Sequence, residues 1–345
     1  MAVVERNVAQ LTRAMDAWLA AAPGGQGGRI ERIVAAEGGA SSETWLLDVL
    51  IAGRAHPARW VLRIEPRGHQ VYEDPSVERQ FRMIRALYEH TALPVPPALA
   101  YEADEGIIGA PFFLMERVDG DAPPNSYHES GLFADAAPDR RAAMWEDSIS
   151  LMAQLHRAPV ERFAFLAFAP EAAENDGTAQ ELLRWDSYRR WAGLAPCPLL
   201  DRARQWLEDH RPGASPPGVA WGDARPCNIL YRDGRAAGML DWETASLGGA
   251  ETDLGWWIAH YRMVSDVVGI ARLDGLGSPD ETIRAWEACA GRKAEAMEWH
   301  IAFATWRFAL ISERAIALAV AAGRYPADAG GDNNPAIRLL RELVS

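Results

Sequence analysis

Residues Trp221 to Glu243 constrain the fold more than any other stretch. They read Trp221-Gly-Asp223-Ala-Arg-Pro-Cys-Asn228, then Ile229-Leu-Tyr231, Arg-Asp-Gly-Arg, Ala236–Leu240, and finally Asp241-Trp-Glu243. Two short apolar runs separated by a turn that contains Asp-Gly predict a β-hairpin. A hairpin of this shape carries Asp223, Asn228 and Asp241 towards one end. Two carboxylates and an amide oxygen converging there suit a hard cation such as Mg²⁺, with one carboxylate left to orient a hydroxyl.

The chain has 345 residues, 49% of them apolar, which is enough for a large core and for two lobes. A net charge of −13 argues against nucleic acid as the main partner, since phosphate contacts need a basic face. The acidity would suit a cationic substrate, but solubility is the simpler explanation. Lys293 is the sole lysine, so Schiff-base chemistry and a Walker-type phosphate lysine are disfavoured. Cys197, Cys227 and Cys289 are widely spaced, without a Cys-x-x-Cys pair or zinc spacing. The start lacks a signal-peptide pattern, and no apolar stretch approaches the ~20 residues of a membrane span. A soluble, cytoplasmic protein is expected.

Taken in order, an amphipathic helix is predicted over Val4–Ala22, followed by strands over Arg29–Ala36, Thr44–Ala52 and Arg59–Ile64. Between the first two lies Glu37-Gly-Gly-Ala-Ser-Ser-Glu43. Its glycines allow close backbone approach and its serines offer hydroxyl and amide groups, so the turn can cradle phosphate, although a plain hairpin turn explains it more simply. Arg63 stands among apolar neighbours on the third strand. It reads either as a bidentate phosphate donor or as an edge arginine reaching solvent. A helix over Pro75–His90 and a strand pair, Ala98–Glu102 and Pro111–Val118, complete this part.

Asp119-Gly-Asp-Ala-Pro-Pro124 then breaks the pattern and sets the expected domain boundary, 1–118 against 119–345. Helices follow over Pro138–Arg157, Thr178–Trp191 and Leu199–Asp209, and after the hairpin over Gly248–His260, Asp280–Ala290 and Lys293–Ala322. His156 at the end of its helix reads as a structural capping residue. Thr252 or Asp253 is placed to serve the first turn of the next one. The organisation is that of an α+β protein.

These residues resemble the aminoglycoside phosphotransferase and choline kinase family of small-molecule kinases. The resemblance runs over nearly the whole chain, and is nearest to the branch that also looks like the kinase-like domain fused to some acyl-CoA dehydrogenases. The family's catalytic loop reads His-Gly-Asp, four residues, then Asn, with an Asp-Trp or Asp-Phe metal segment shortly after. Trp221-Gly-Asp223, Asn228 and Asp241-Trp match it at five and thirteen residues' spacing. Pro111 to Gly120 resembles the adenine-binding hinge, Glu251 to Trp257 the helix after the metal site, and Leu155-His156 the end of a long helix of the second lobe.

The resemblance implies a protein-kinase-like two-lobed fold with a β-rich first lobe and a mostly helical second one. It implies ATP and Mg²⁺ as cofactors, and transfer of the γ-phosphate to a small-molecule hydroxyl: aminoglycoside-like, amino alcohol or hydroxyacyl. Asp223 would orient or deprotonate that hydroxyl, and Asn228 and Asp241 would hold Mg²⁺. Gly39, Ser41 and Ser42 would cover the phosphates together with Arg63, while Met115, Glu116 and Val118 would present backbone groups to adenine. Three departures stand out. Trp221 replaces the usual His, Arg63 the strand lysine and Gln80 its helix glutamate, although Glu78 lies two positions away. They motivate an alternative, a catalytically weak or inactive kinase-like ligand-binding protein. Carboxylates such as Glu243, Glu251 and Asp186 would be needed to hold a polyamine. Trp185, Tyr188, Trp191, Trp256, Trp257 and Tyr261 offer faces for a quaternary amine, or simply core packing. A monomer and a homodimer both fit.

Overall fold

The structure is a computed structural model that describes residues 6–21, 27–36, 43–68, 70–173, 175–326 and 328–345. The chain divides into two compact units, one of residues 1–89 and 95–118 and the other of 90–94 and 119–345.

The first unit is built on an antiparallel sheet of order β1-β2-β3-β5-β4. The strands are β1 (Arg29–Ala35), β2 (Glu43–Leu50), β3 (Ala58–Ile64), β4 (Ala98–Glu102) and β5 (Phe112–Glu116). Their alternation sorts side chains between two faces. Trp45, Leu47 and Val49 of β2, Trp60, Leu62 and Ile64 of β3, and Phe112 and Leu114 of β5 share a core with α1 (Val8–Ala21), which contributes Leu11, Met15, Trp18 and Leu19. Trp18 meets Phe112 edge-on at 5.2 Å and donates its indole N–H to Glu102 at 2.8 Å. Each such side chain removed from water contributes about 1.5–3 kcal/mol. Arg63 and Phe113 are register partners on β3 and β5, so they turn to the opposite face. There α2 (Val77–His90) brings Phe81 to 6.0 Å from the Phe113 ring. A short helix, α3 (Glu105–Ile108), capped by Asp104, links β4 to β5.

The second unit is helical: α4 (Leu132–Asp135), α5 (Pro138–Leu155), α6 (Gly177–Ala192), α7 (Pro198–Asp209), α8 (Ala250–Arg262), α9 (Pro279–Ala290), α10 (Met297–Ala321) and α11 (Pro335–Leu343). Its one hairpin among the described residues pairs β6 (Ile229–Arg232) with β7 (Arg235–Met239). Asp233 and Gly234 at the tip both take positive φ, 54° and 77°, the requirement of a type I′ turn. Helices α8 and α10 meet at very close range. A Cβ on Gly255 would stand 2.5 Å from the His300 carbonyl oxygen, so only glycine permits the approach. Among the described residues no helix is long and apolar enough to cross a membrane.

Candidate active site

The hairpin brings Asp223, Asn228 and Asp241 together. Asn228 closes a single 3₁₀ turn (Pro226–Asn228) just before β6. Its amide nitrogen donates to the Asp223 carbonyl at 2.9 Å and to Asp223 Oδ2 at 2.7 Å. On the returning strand the Leu240 amide donates to the Asn228 carbonyl at 2.9 Å, which sets Asp241 beside Asn228. Asp241 adopts φ 61°, a left-handed conformation that costs an ordinary residue on the order of 1–2 kcal/mol and is tolerated best by Asn and Asp.

Asp223 is 6% exposed, and both of its oxygens are engaged. Oδ1 accepts the indole N–H of Trp256 at 2.8 Å. Oδ2 accepts the Asn228 amide and a fork from Arg225, 3.0 Å from Nε and 2.9 Å from Nη2. Arg225 is steadied by the Asn125 side chain, which accepts from its other terminal nitrogen at 2.8 Å. The carboxylate therefore has a fixed orientation, set by three side chains from two segments.

The loop carrying it is held from below by Asp253 on α8. Asp253 is fully buried and accepts the Trp221 amide at 2.7 Å, the Gly222 amide at 2.8 Å and His156 Nε2 at 3.0 Å. His156 Nδ1 accepts the Trp286 indole N–H at 2.9 Å, so the imidazole proton lies on Nε2 and points at Asp253. His156 is the C-cap of α5. Asp253 does not cap α8. That end has Gly249 as its N-cap, without a side-chain bond, and Thr252 turns back to the Gly248 carbonyl at 2.9 Å. Gly222 at φ 89° packs so tightly that an added Cβ would lie 2.1 Å from the Thr244 carbonyl oxygen. Above it, Arg307 of α10, itself fully buried, donates to the Gly222 carbonyl at 3.0 Å while its guanidinium is sandwiched 4.6 Å from Trp185 and 4.5 Å from Trp256.

Trp221 fills the place of the expected histidine and is completely buried. Its indole N–H donates to the Leu240 carbonyl at 2.8 Å, tying the loop to the segment that carries Asp241.

In the first unit, Arg63 donates to Gln80 Oε1 at 3.1 Å and to Thr44 at 3.3 Å. This settles the register in favour of Gln80 over Glu78. At the hinge the Glu116 amide donates to the Pro97 carbonyl at 3.0 Å and the Arg117 amide to the Arg59 carbonyl at 2.8 Å. Those two N–H groups are spent inside the unit. Met115 is 8% exposed on β5 and Val118 ends the unit. Gly39, Ser41 and Ser42 lie outside the described residues.

Two of the three carboxylates named as possible polyamine holders are occupied by arginines. Asp186 takes a fork from Arg204, 2.9 Å from Nε and 2.9 Å from Nη2. Glu251 is forked by Arg292, 3.0 Å from Nη2, which holds its carboxyl below the usual range against the opposing cost of burial. Glu243 is buried at 4% exposure. The aromatic residues serve the core. Trp185, Tyr188, Trp256, Trp257 and Tyr261 are all buried, and the protein's own Arg307 and Arg314 stand over Trp185, Trp256 and Trp191.

A β-sheet unit followed by a helical unit, with Asp, Asn and Asp gathered at one hairpin, defines a kinase-like phosphotransferase fold. A model of the phosphotransferase enzyme family, APH, matches residues 32–291, and the chain belongs to that family. Over 96% of this chain and 95% of the other, the fold matches a candidate aminoglycoside phosphotransferase from Ralstonia eutropha, with a TM-score of 0.68 at 22% identity. It also matches aminoglycoside phosphotransferase APH(4)-Ia in its complex with AMP-PNP and hygromycin B, with a TM-score of 0.58 at 14% identity over 95% of this chain and 96% of that one. Macrolide 2′-phosphotransferase MphH from Brachybacterium faecium gives 0.54 at 21% identity, over 91% and 94%. Among curated proteins, the Arabidopsis thaliana protein named Probable acyl-CoA dehydrogenase IBR3 is 26% identical over 301 residues, which is 79% of this chain and 34% of that protein. Human acyl-CoA dehydrogenase family member 11 is 23% identical over 270 residues, 72% of this chain and 33% of that one. The chain thus spans about a third of the length of these relatives.

Proposed function

We propose that the chain is an ATP- and Mg²⁺-dependent phosphotransferase that moves the γ-phosphate to a hydroxyl of a small molecule. The observation that carries this reading is Asp223, a buried carboxylate fixed by Trp256, Asn228 and Arg225 on a loop that Asp253 holds by two amides. Phosphoryl transfer leaves a protein little covalent work, so positioning and charge neutralisation dominate. Asp223 aligns the acceptor hydroxyl and draws its proton as the bond to phosphorus forms.

The residues present fit a hard cation. The Asn228 amide nitrogen is turned to Asp223, and the bond from the Leu240 amide to the Asn228 backbone carbonyl brings the segment that carries Asp241 alongside. Asn228 and Asp241 would hold Mg²⁺, which neutralises charge on the nucleotide phosphates. No group of three or more His, Cys, Asp or Glu able to hold a metal occurs among the described residues. Arg63, anchored by Gln80, is assigned to the nucleotide phosphates, as are Gly39, Ser41 and Ser42. The Glu116 carbonyl and the Val118 amide, beside buried Met115, are assigned to adenine.

A second reading, a kinase-like ligand-binding protein of weak activity, is favoured by one feature. Arg63 is paired with neutral Gln80 where a Lys–Glu clamp is expected. Thermal-shift titration with ATP and Mg²⁺ separates the cases together with an ADP-release assay on aminoglycosides, choline-like amines and hydroxyacyl thioesters. The phosphotransferase reading expects a shift and turnover of some acceptor. A shift without turnover across the panel supports the second reading, and no shift with any nucleotide refutes the phosphotransferase reading.

A further inference from the structure

Arg307 of α10 is fully buried and has no part in the chemistry proposed above. Taking an arginine out of water is costly, and well-packed apolar side chains of similar volume often serve a core as well or better. Its contacts give the charge a use. Nη2 donates to the Gly222 carbonyl at 3.0 Å, one residue before Asp223. The guanidinium stands 4.5 Å over the Trp256 ring, and the Trp256 indole N–H donates to Asp223 Oδ1 at 2.8 Å. Arg307 therefore reaches Asp223 by two routes, through the backbone of the loop and through the indole on α8.

The guanidinium is itself held. Glu181 of α6, also buried, places Oε2 3.9 Å from Arg307 Nη1. The same carboxylate accepts the Trp185 indole N–H at 3.3 Å, and Arg184 Nε stands 3.6 Å from its Oε1. The Trp185 ring lies 4.6 Å from the guanidinium. Gly248 packs so closely on Glu181 that an added Cβ would lie 2.5 Å from its Cγ. On α8, Gly255 admits the His300 carbonyl of α10 at a distance that a Cβ would forbid, which sets the spacing between the helices that carry Trp256 and Arg307. A cation over an indole face draws on the electron density of the ring and makes its N–H a stronger donor.

We infer that Arg307, held by Glu181, is a positioning residue for the transfer: it fixes the Gly222 carbonyl and the Trp256 indole, and through them the orientation of the Asp223 carboxylate. The inference rests on the phosphotransferase reading and adds a buried charged pair to the machinery of that site.

The test compares Arg307→Met, which removes the charge and the donors, with Arg307→Lys, which keeps a cation, in the full chain. Misplacement on the scale of an ångström far from the chemistry can cost about 10²-fold in rate, so kcat with the best acceptor of the panel should fall by about tenfold or more in Arg307→Met. KM for MgATP and the MgATP thermal shift should stay as in the unmodified chain, and Arg307→Lys should recover most of the loss. Should Arg307→Met fail to fold with Glu181 left behind, the double variant Glu181→Gln/Arg307→Met removes both charges and is expected to show the same fall in kcat. A second readout needs no turnover. The ¹H–¹⁵N signal of the Trp256 indole, assigned through Trp256→Phe, should move upfield in Asp223→Ala, where its acceptor is gone, and in the same direction in Arg307→Met. A folded Arg307→Met chain that is less stable but keeps the unmodified kcat has an arginine of purely structural use and overturns the inference, as does a rise in KM for MgATP that matches the fall in kcat. Absence of turnover in the unmodified chain is a failure of the phosphotransferase reading. The indole signal then decides alone, and a signal unmoved in Arg307→Met overturns the inference.

Discussion

Asp253→Asn isolates the support beneath the catalytic loop. The side chain keeps its shape but exchanges one acceptor oxygen for a donor. In the wild type Oδ1 accepts from Gly222, and Oδ2 accepts from Trp221 and His156. The best placement of the asparagine keeps its oxygen on the Trp221 and His156 side, which leaves the NH₂ facing the Gly222 amide. His156 cannot relieve the opposite placement by changing tautomer, because its Nδ1 already accepts from Trp286. A hydrogen bond to a charged group contributes about 1.5–3 kcal/mol, and a buried donor left without an acceptor costs about 1–3 kcal/mol more. The expected loss is therefore about 3–5 kcal/mol in the second unit. Urea unfolding followed by tryptophan fluorescence measures it, because Trp221, Trp256 and Trp286 all sit in that unit. ADP release should fall as well, since Gly222 immediately precedes Asp223. A midpoint change worth less than about 1 kcal/mol, with an unchanged m-value, would refute the assignment of Asp253 as the anchor.

Gly222→Ala forces a Cβ to within 2.1 Å of the Thr244 carbonyl oxygen at φ 89°, so it should cost more than about 2 kcal/mol and abolish ADP release; near-normal activity in a purified, folded variant would contradict the close approach. Burial lowers His128 and His300 to about 4 and His260 to about 3, so all three are neutral in the fold while the unfolded chain protonates them near 6.5. Their contribution is complete above pH 6.5 and is lost as pH falls towards 4, by about 2 kcal/mol per imidazole at pH 5. Urea midpoints at pH 7 and pH 5 should differ accordingly, and His260→Phe should reduce the difference; coincident midpoints would contradict the burial of these rings. Burial also pushes the Cys227 thiol up to about 12, whereas Cys289 is exposed, so a thiol reagent under native conditions should label Cys289 well before Cys227.

The grouping of the candidate site's Asp, Asn and Asp was legible because short-range spacing fixed it. Asp223, Asn228 and Asp241 come from one hairpin whose Asp-Gly tip and apolar strands are local signals, and the structure gathers them at one end. Helix and strand positions followed periodicity to within a few residues. Val4–Ala22 becomes Val8–Ala21 and Thr44–Ala52 becomes Glu43–Leu50. The four-residue α3 and α4 carry too little periodic signal to be anticipated, whereas α11, with Asn334 as cap, Pro335 behind it and Ile337 and Leu340 at helical spacing, was readable and was missed. Asp253 was read as a first-turn residue because its spacing suited that role. Its partners lie 31 and 32 positions away, beyond any local pattern. Arg225 was visible two residues after Asp223, and a charged residue so close to a carboxylate is the signal that would have found it. Arg307 was not readable, because an arginine on an apolar helix announces neither its depth nor the two tryptophans around it. The aromatic residues, read as either cage or core, resolve to core because the helices that carry them turn those faces inward.

Asp223 carries the proposed chemistry. ADP release with MgATP and the best acceptor of the panel should fall by at least about 10²-fold in Asp223→Ala, the scale of a lost acid–base group, while the MgATP thermal shift persists. Turnover equal to that of the unmodified chain, with nucleotide still bound, would contradict the role proposed for Asp223.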